Sequence, residues 1–447
     1  MTVGKIDMSD IIWNDDQAAA ITKFRKWWLT PQEKRSEFFY LAGVAGTGKS
    51  LLANHLAEIV KGDDESAIVL FGAFTGKAAG VLRGKGCVGA CTIHSMIYIP
   101  IDEVISDLDA VPNELGFCLR NELKIPDEFM EDEDECKKVV LIIIDESSMV
   151  CERLGIDLLS FNIPILVLGD KAQLPPVKDG GFFERMQPDY ELTTIVRQAQ
   201  DNPIIRLSMD IRGARMPAIG NYESNHGVTR VIEAKDTKPN NEMANADIVL
   251  VGTNRRRCYA NWISRRLRGY KRDDWPQAGE RIICLKNNKF YKVLNGTLFT
   301  LMYSVSITEA MKPDGSGVEP IIHMTLSEDD TGRIVNVCFP YAKFERAVSP
   351  EENIIEQFIG ESKRTFEWGF GYVITVHKFQ GSQTDHVLLI DESERFCQDR
   401  WRWLYTGITR AVKTVTLITN PNPVPNDPRF WGAEKFVIPV LKKEGIE

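Results

Sequence analysis

Residues Gly43-Val-Ala-Gly-Thr-Gly-Lys-Ser50 match the pattern GxxxxGK[ST]; the apolar run EFFYLAG (37–43) leads into them and the helical pattern LLANHLAEIV (51–60) follows. Glycines at this spacing let a loop wrap its amides around phosphate oxygens, and the helix start behind it adds the positive end of a dipole. In such a loop Gly43, Val44, Ala45, Gly46, Thr47 and Gly48 form the cradle, Lys49 reaches the β and γ phosphates, and the Ser50 hydroxyl can hold magnesium. The stretch predicts a nucleotide-binding α/β fold that uses ATP and Mg2+.

Moving outward, AIVLFGAF (67–74), VVLIIID (139–145) and IPILVLG (163–169) are nearly continuous apolar runs, as expected of parallel strands covered by helices on both faces. VVLIIID ends in Asp145-Glu146, two carboxylates at the carboxyl edge of the sheet, where ligands of such folds bind. Asp145 would coordinate magnesium and Glu146 would polarise the attacking water. Alone, the pair could equally cap a helix; the phosphate loop favours the catalytic reading. The run after IPILVLG, GDKAQLPPV (169–177), offers Gln173, whose neutral amide can sense a γ-phosphate, although a plain turn after a strand fits that segment as well.

A second α/β series opens at ADIVLVGT (246–253), continues in the basic stretch RRRCYANWISRRLRG (255–269), and resumes with GYVITVHKFQGS (371–382), HVLLID (386–391) and KTVTLIT (413–419). Between its parts, TLFTLMYSVSI, IIHMTLSE and GRIVNVCFP alternate at the strand period and are joined by KPDGSG and EDDTG, which predicts an inserted β-rich domain. A first insertion, residues 98–137, holds IPIDEV, ELGFCLRN and the acidic run EDEDE, which reads as a solvated loop. For Arg255, Arg256, Arg257, Arg265, Arg266 and Arg268, a path for a polyanion and a solvated helix face are both open.

With 447 residues, 43% hydrophobic and 26% charged, the chain suits two to four domains and lacks the marks of disorder. No apolar run approaches the roughly 20 residues that span a bilayer, and the first residues carry no signal-peptide core, so a cytoplasmic protein without membrane contact is expected. Nine scattered cysteines suit reduced thiols, and Cys87, Cys91 and His94 match no standard zinc spacing. The net charge of −9 (54 basic, 63 acidic) does not advertise a nucleic-acid binder, so any such binding must come from a local cationic groove.

The series GVAGTGKS, FTGKAAGVL, TIHS, IIIDESSMV, GDKAQLPPV, LTTIVRQ, VGTNRRR, TVHKFQGSQ and LYTGITRA, with Gln17 ahead of it in WNDDQAAAI, resembles the superfamily 1 DNA helicases, most closely the RecD and phage Dda branch. The motifs stand in that family's order from residue 17 to 411. The resemblance implies an α/β fold of two RecA-like parallel-sheet lobes: the first over 1–97 and 138–195, with a hairpin or pin insertion at 98–137, and the second over 196–290 and 366–447, with a small SH3-like, barrel-like insertion at 291–365. It implies that Gln17 reads the adenine edge, that Gly381 belongs to the nucleotide site, and that Arg197 and Arg410 reach the γ-phosphate.

It further implies that Thr75, Gly76, Lys77, Thr92, His94 and Ser95 in the first lobe, and Thr253, Asn254, Thr375, His377 and Lys378 in the second, hold the DNA backbone. Phe117 is the expected strand-separation pin. The sequence departs from the family where Phe74-Thr75 stands in place of Pro-Thr and where Gly371 and Tyr372 replace small residues. The expected activity is ATP-dependent, 5′-to-3′ translocation on single-stranded DNA with unwinding of forked DNA by a monomer, alongside replication or recombination proteins. Two rivals differ in kind: a phosphate-loop ATPase or kinase that never translocates, and a nucleic-acid-binding scaffold with a degenerate nucleotide site.

Overall fold

The computed structural model describes residues 11–419 other than 63, 101–116, 130–136, 176–180, 197–199, 238, 272–273, 287, 289, 294, 313–314, 330 and 346–365, and leaves out side chains 77, 100, 235, 239 and 240. Among the described residues, three large sheets and a two-stranded ribbon organise the chain. In the first, six strands are all parallel, in the order Cys91–Thr92, Ala67–Ala73, Lys138–Ile144, Ile165–Gly169, Phe38–Gly43, Tyr190–Leu192. Its central strands are buried along most of their length, which is why they read as unbroken apolar runs rather than alternating ones. One face packs on Phe24, Leu52 and Leu56, the other on Ile93, Met96 and Leu154.

The second sheet runs Val373–Thr375, Ile248–Val251, Thr384–Ile390, Ala411–Thr419, Gly227–Glu233, Gly220–Ser224. All pairings are parallel except the last, an antiparallel edge hairpin. The third sheet is largely antiparallel and is inserted between strands of the second; Phe299, Phe339, Phe344 and Trp368 fill its interior. It takes in Arg281–Cys284 and Trp368–Phe370, which lie outside the 291–365 that the resemblance implies for the insertion. Those two short strands are too apolar to alternate, because they also face the second lobe; Ile283 lies in that lobe's core.

Local chemistry sets several helix starts. Asn14 and Gln17 form a reciprocal capping box for helix Asp15–Trp28, and Asn202 caps Pro203–Arg212 with proline at its first position. Helix Asn254–Leu267 is capped by Thr253 and is tied down by buried ion pairs: Arg257 to Glu345 at 2.7 Å and Arg265 to Glu280 at 2.8 Å. Arg256 pairs with Glu392 at 3.0 Å. Three of the six arginines therefore fix the insertion and the lobe in place, a structural use that neither sequence reading anticipated. Among the described residues no helix is long and apolar enough to cross a membrane.

Candidate active site in the cleft between the lobes

Two positive-φ glycines, Gly46 and Gly48, shape the phosphate loop between strand Phe38–Gly43 and helix Lys49–Lys61. Lys49 Nζ donates to the Gly43 carbonyl and, at 3.1 Å, to that of Val44, so the ammonium lies folded over the loop's own backbone. The loop lines a cleft of about 580 Å³ shared with Ser50, Asp145, Glu146, Gln173, Gly381 and Arg410.

Asp145 and Glu146 follow the strand Lys138–Ile144 into this cleft. The Glu146 amide donates to Asp145 Oδ1 at 3.0 Å, and Glu146 itself sits in the left-handed region at φ 57°, ψ 50°. Such a conformation in a non-glycine residue re-aims the side chain at some cost in strain. Burial, with the neighbouring Glu146 charge, pushes the Asp145 carboxyl above its ordinary range. A cation relieves that stress. Lys85 shows the tendency: its Nζ lies 3.4 Å from Ser50 Oγ, and its positive charge draws the Asp145 carboxyl back down. Hard oxygens from Ser50 and Asp145 below a phosphate loop form a donor set suited to magnesium.

Arg410 comes from the second lobe. It is 1% exposed, and its Nη2 lies 3.7 Å from Glu146 Oε1. The Thr406 and Ser382 carbonyls and Thr409 Oγ1 accept one hydrogen bond each from its Nε, Nη1 and Nη2. Gln173 is buried, and its Oε1 has no partner among the described residues. Gly381 has φ 76°, a left-handed conformation that favours glycine, and a Cβ there would meet the flexible Met149 side chain of the other lobe. Gln17 is tied down: Nε2 donates to the Thr47 carbonyl at 3.1 Å and Oε1 accepts from Asn14 N at 3.2 Å. It braces the phosphate loop from behind. Arg197 lies outside the described residues, yet Val196 just before it donates to the Gly46 carbonyl at 3.0 Å.

Other cross-lobe contacts lay unnoticed in the sequence. Tyr405 Oη accepts from Ala45 N at 2.9 Å and donates to Asp170 Oδ2 at 2.6 Å. Thr406 Oγ1 accepts from Leu174 N at 2.9 Å, Gln380 Nε2 donates to the Leu174 carbonyl, and Thr75 Oγ1 donates to the Gly381 carbonyl at 3.1 Å. Tyr405 and Asp170 stand in LYTGITRA and GDKAQLPPV, so the signal was membership in motifs already quoted. Their mutual contact was invisible because 235 residues separate them.

The expected DNA-facing residues fall at matching places. Thr75 caps helix Gly76–Gly84 through Ala78 N, and Thr92 caps Ile93–Ile97 through Ser95 N. Both follow the two strands at one edge of the first sheet. Thr253 caps the helix that begins at Asn254, and Thr375 precedes the turn Val376–Phe379; both follow the two strands at the corresponding edge of the second sheet. Ser95 and Asn254 are exposed. The Lys77 side chain lies outside the described residues.

Three expectations are altered. The His94 ring packs between Phe74 and Tyr98, and burial pushes it down to about 4, so it brings no positive charge to a phosphate near neutral pH. Burial likewise pushes Lys378 down to about 8; its ammonium donates to Asn295 Oδ1 at 2.8 Å and to the Leu285 carbonyl, tying the β-rich insertion to the lobe. His377 packs on Phe396 and is also pushed down by burial. Phe117 pairs with Pro100 in a two-stranded ribbon and packs on the first-lobe core. Phe117 is half-buried at the end of that ribbon next to residues 101–116, which lie outside the described residues.

A phosphate loop and a strand-end carboxylate pair on one parallel sheet, faced by an arginine from another, define a two-lobed phosphate-loop NTPase. Residues 13–233 match the AAA domain family and residues 370–418 the UvrD-like helicase C-terminal domain. The chain is 25% identical over 399 residues to the ATP-dependent RecD2 DNA helicase of Deinococcus radiodurans, which covers 83% of this chain and 45% of that protein. It is 33% identical over 144 residues to ATP-dependent DNA helicase Pif1 of Campylobacter jejuni, 31% of this chain and 29% of that protein. The matches thus span less than half the length of these curated relatives. The crystal structure of Pif1 helicase from Candida albicans aligns over 94% of this chain and 98% of its own at 17% identity, with a TM-score of 0.43. The chain belongs to the superfamily 1 helicases of the RecD and Pif1 type.

Proposed function

We propose that this chain is an ATP-dependent DNA helicase that walks along single-stranded DNA, 5′ to 3′, and separates forked duplexes. The observation that carries the reading is Arg410: a buried second-lobe guanidinium placed 3.7 Å from the first-lobe Glu146, so hydrolysis chemistry depends on how the lobes sit. Lys49 and Arg410 would stabilise the charge that develops on the γ-phosphate, with Arg197 joining them. Glu146 would orient and polarise water, and Gln173, whose buried oxygen has no partner among the described residues, would contact the γ-phosphate or that water. Magnesium held by Ser50 and Asp145 would neutralise phosphate charge when bound, and Gln17 would border the base.

Translocation needs two grips that change out of phase. The threonine-capped starts at 75–76, 92–95 and 253–254, and the threonine-led turn at 375–377, set hydroxyls and helix-start or turn-start amides at matching edges of the two sheets. These groups suit sugar-phosphate contacts without base readout. Lobe closure around ATP would shorten the distance between grips and opening would restore it. The reading includes a monomer in the cytoplasm, working with replication or recombination proteins.

The test compares two duplexes of one sequence, one with a 5′ single-stranded tail and one with a 3′ tail. ATP-dependent separation of the 5′-tailed duplex alone is expected. Separation of only the 3′-tailed duplex reverses the polarity, and hydrolysis without separation of either supports a non-translocating ATPase.

A further inference from the structure

The geometry points to Tyr405 as a positioning residue that couples the placement of the second lobe to the phosphate loop, through one hydroxyl bonded at once to Ala45 and Asp170. The inference rests on the chain being an ATPase whose cleft closes between the lobes.

Tyr405 lies on helix Arg400–Ile408 of the second lobe and is 1% exposed. Its oxygen accepts from the loop amide of Ala45 and its proton goes to Asp170 Oδ2, so the phenol is fully used in crossing from one lobe to the other. Asp170 is fixed in turn, since Oδ1 accepts from Ala172 N at 3.0 Å and its carbonyl accepts from Gln173 N at 3.0 Å. The turn that carries Gln173 is therefore held by Tyr405 at Asp170 and by Thr406 at Leu174. Ala45 and Ala172 also pack against the second lobe's apolar core, so the contact has an apolar backing that excludes water.

Five residues beyond Tyr405 stands Arg410. One short helix and its exit thus bear on the phosphate loop, on the Gln173 turn and on Glu146. A shift of the second lobe moves all three together. Packing alone would need only the ring; the two hydrogen bonds need the hydroxyl. Buried hydrogen bonds to a carboxylate are among the stronger ones, and their loss corresponds to roughly tenfold or more in an equilibrium or rate.

The experiment measures kcat and KM for ATP with a saturating single-stranded oligonucleotide, using the full chain as wild type, Tyr405→Phe, Asp170→Asn and the double variant. Tyr405→Phe is expected to lower kcat by about tenfold while KM changes by less than about threefold, because the ring still fills its site. The double variant is expected to be no slower than the slower single, since both remove the same link. A Tyr405→Phe kcat within about threefold of wild type, or a double variant whose loss is the product of the two singles, overturns the inference. A wild type that hydrolyses no ATP refutes the proposed function itself and takes this inference with it. Normal wild-type hydrolysis with an unaffected Tyr405→Phe refutes the inference alone.

Discussion

Replacing Glu146 with Gln separates nucleotide binding from chemistry at this site. The amide keeps the size and the left-handed backbone of the carboxylate, φ 57°, at no new steric cost. It removes the like charge beside Asp145, whose carboxyl is held high first by burial and then by Glu146, so Asp145 becomes more acidic and a better partner for a cation. Arg410 loses a contact at 3.7 Å but keeps its three hydrogen bonds to Thr406, Ser382 and Thr409, so it stays in place. ATP affinity should therefore change by less than about threefold, under roughly 0.7 kcal/mol. The hydrolytic step loses its base: about 10²- to 10⁴-fold in kcat, or roughly 2.7–5.5 kcal/mol of barrier. Single-turnover hydrolysis with saturating oligonucleotide, beside an equilibrium nucleotide titration, reads both quantities. A kcat within tenfold of wild type, or affinity falling in step with rate, refutes the assignment.

Gly381→Ala should weaken ATP binding about 5- to 30-fold, from roughly 1–2 kcal/mol of left-handed strain in a turn that lines the cleft; unchanged affinity in a nucleotide titration would mean that nucleotide binding does not draw on this turn. His94 stays neutral in the folded chain down to about pH 4 while the unfolded chain protonates from 6.5, so its stabilising contribution is whole above pH 6.5 and is lost as pH falls through that window. By pH 5 the loss is about 2 kcal/mol, and chemical denaturation should show His94→Gln less sensitive to acid than wild type; parallel curves would count against the burial argument. Glu345→Ala leaves Arg257 buried without its partner and should cost about 3–5 kcal/mol, whereas breaking the exposed Arg206–Asp201 pair should cost under about 0.5 kcal/mol; a thermal melt that ranks them equally is incompatible with the ion pair's burial.

Strands and motifs were legible in the sequence because their signals are local. EFFYLAG, VVLIIID and HVLLID are unbroken apolar runs whose burial on both faces leaves no other secondary structure of that length. The glycine pattern before Lys49 specifies a loop that few other sequences form. Short strands such as Cys91–Thr92 and Tyr190–Leu192 were missed, since two or three residues carry no period and owe their conformation to neighbours.

By itself, the sequence determined the phosphate loop, the carboxylate pair, the order of two parallel-sheet lobes and the presence of a β-rich insertion. Only the tertiary structure decided which charges are free to act. Arg257 and Arg265, Lys378 and His94 look alike on paper as cationic or titratable groups, yet the first two are held in buried ion pairs, Lys378 ties the insertion to the lobe, and His94 is neutral inside an aromatic pocket. It was likewise tertiary structure that joined Tyr405 to Asp170 and set Arg410 opposite Glu146. Desolvation and long-range contact depend on what surrounds a group in space, and a chain folded through two interleaved lobes brings together residues whose separation in sequence carries no trace of their meeting.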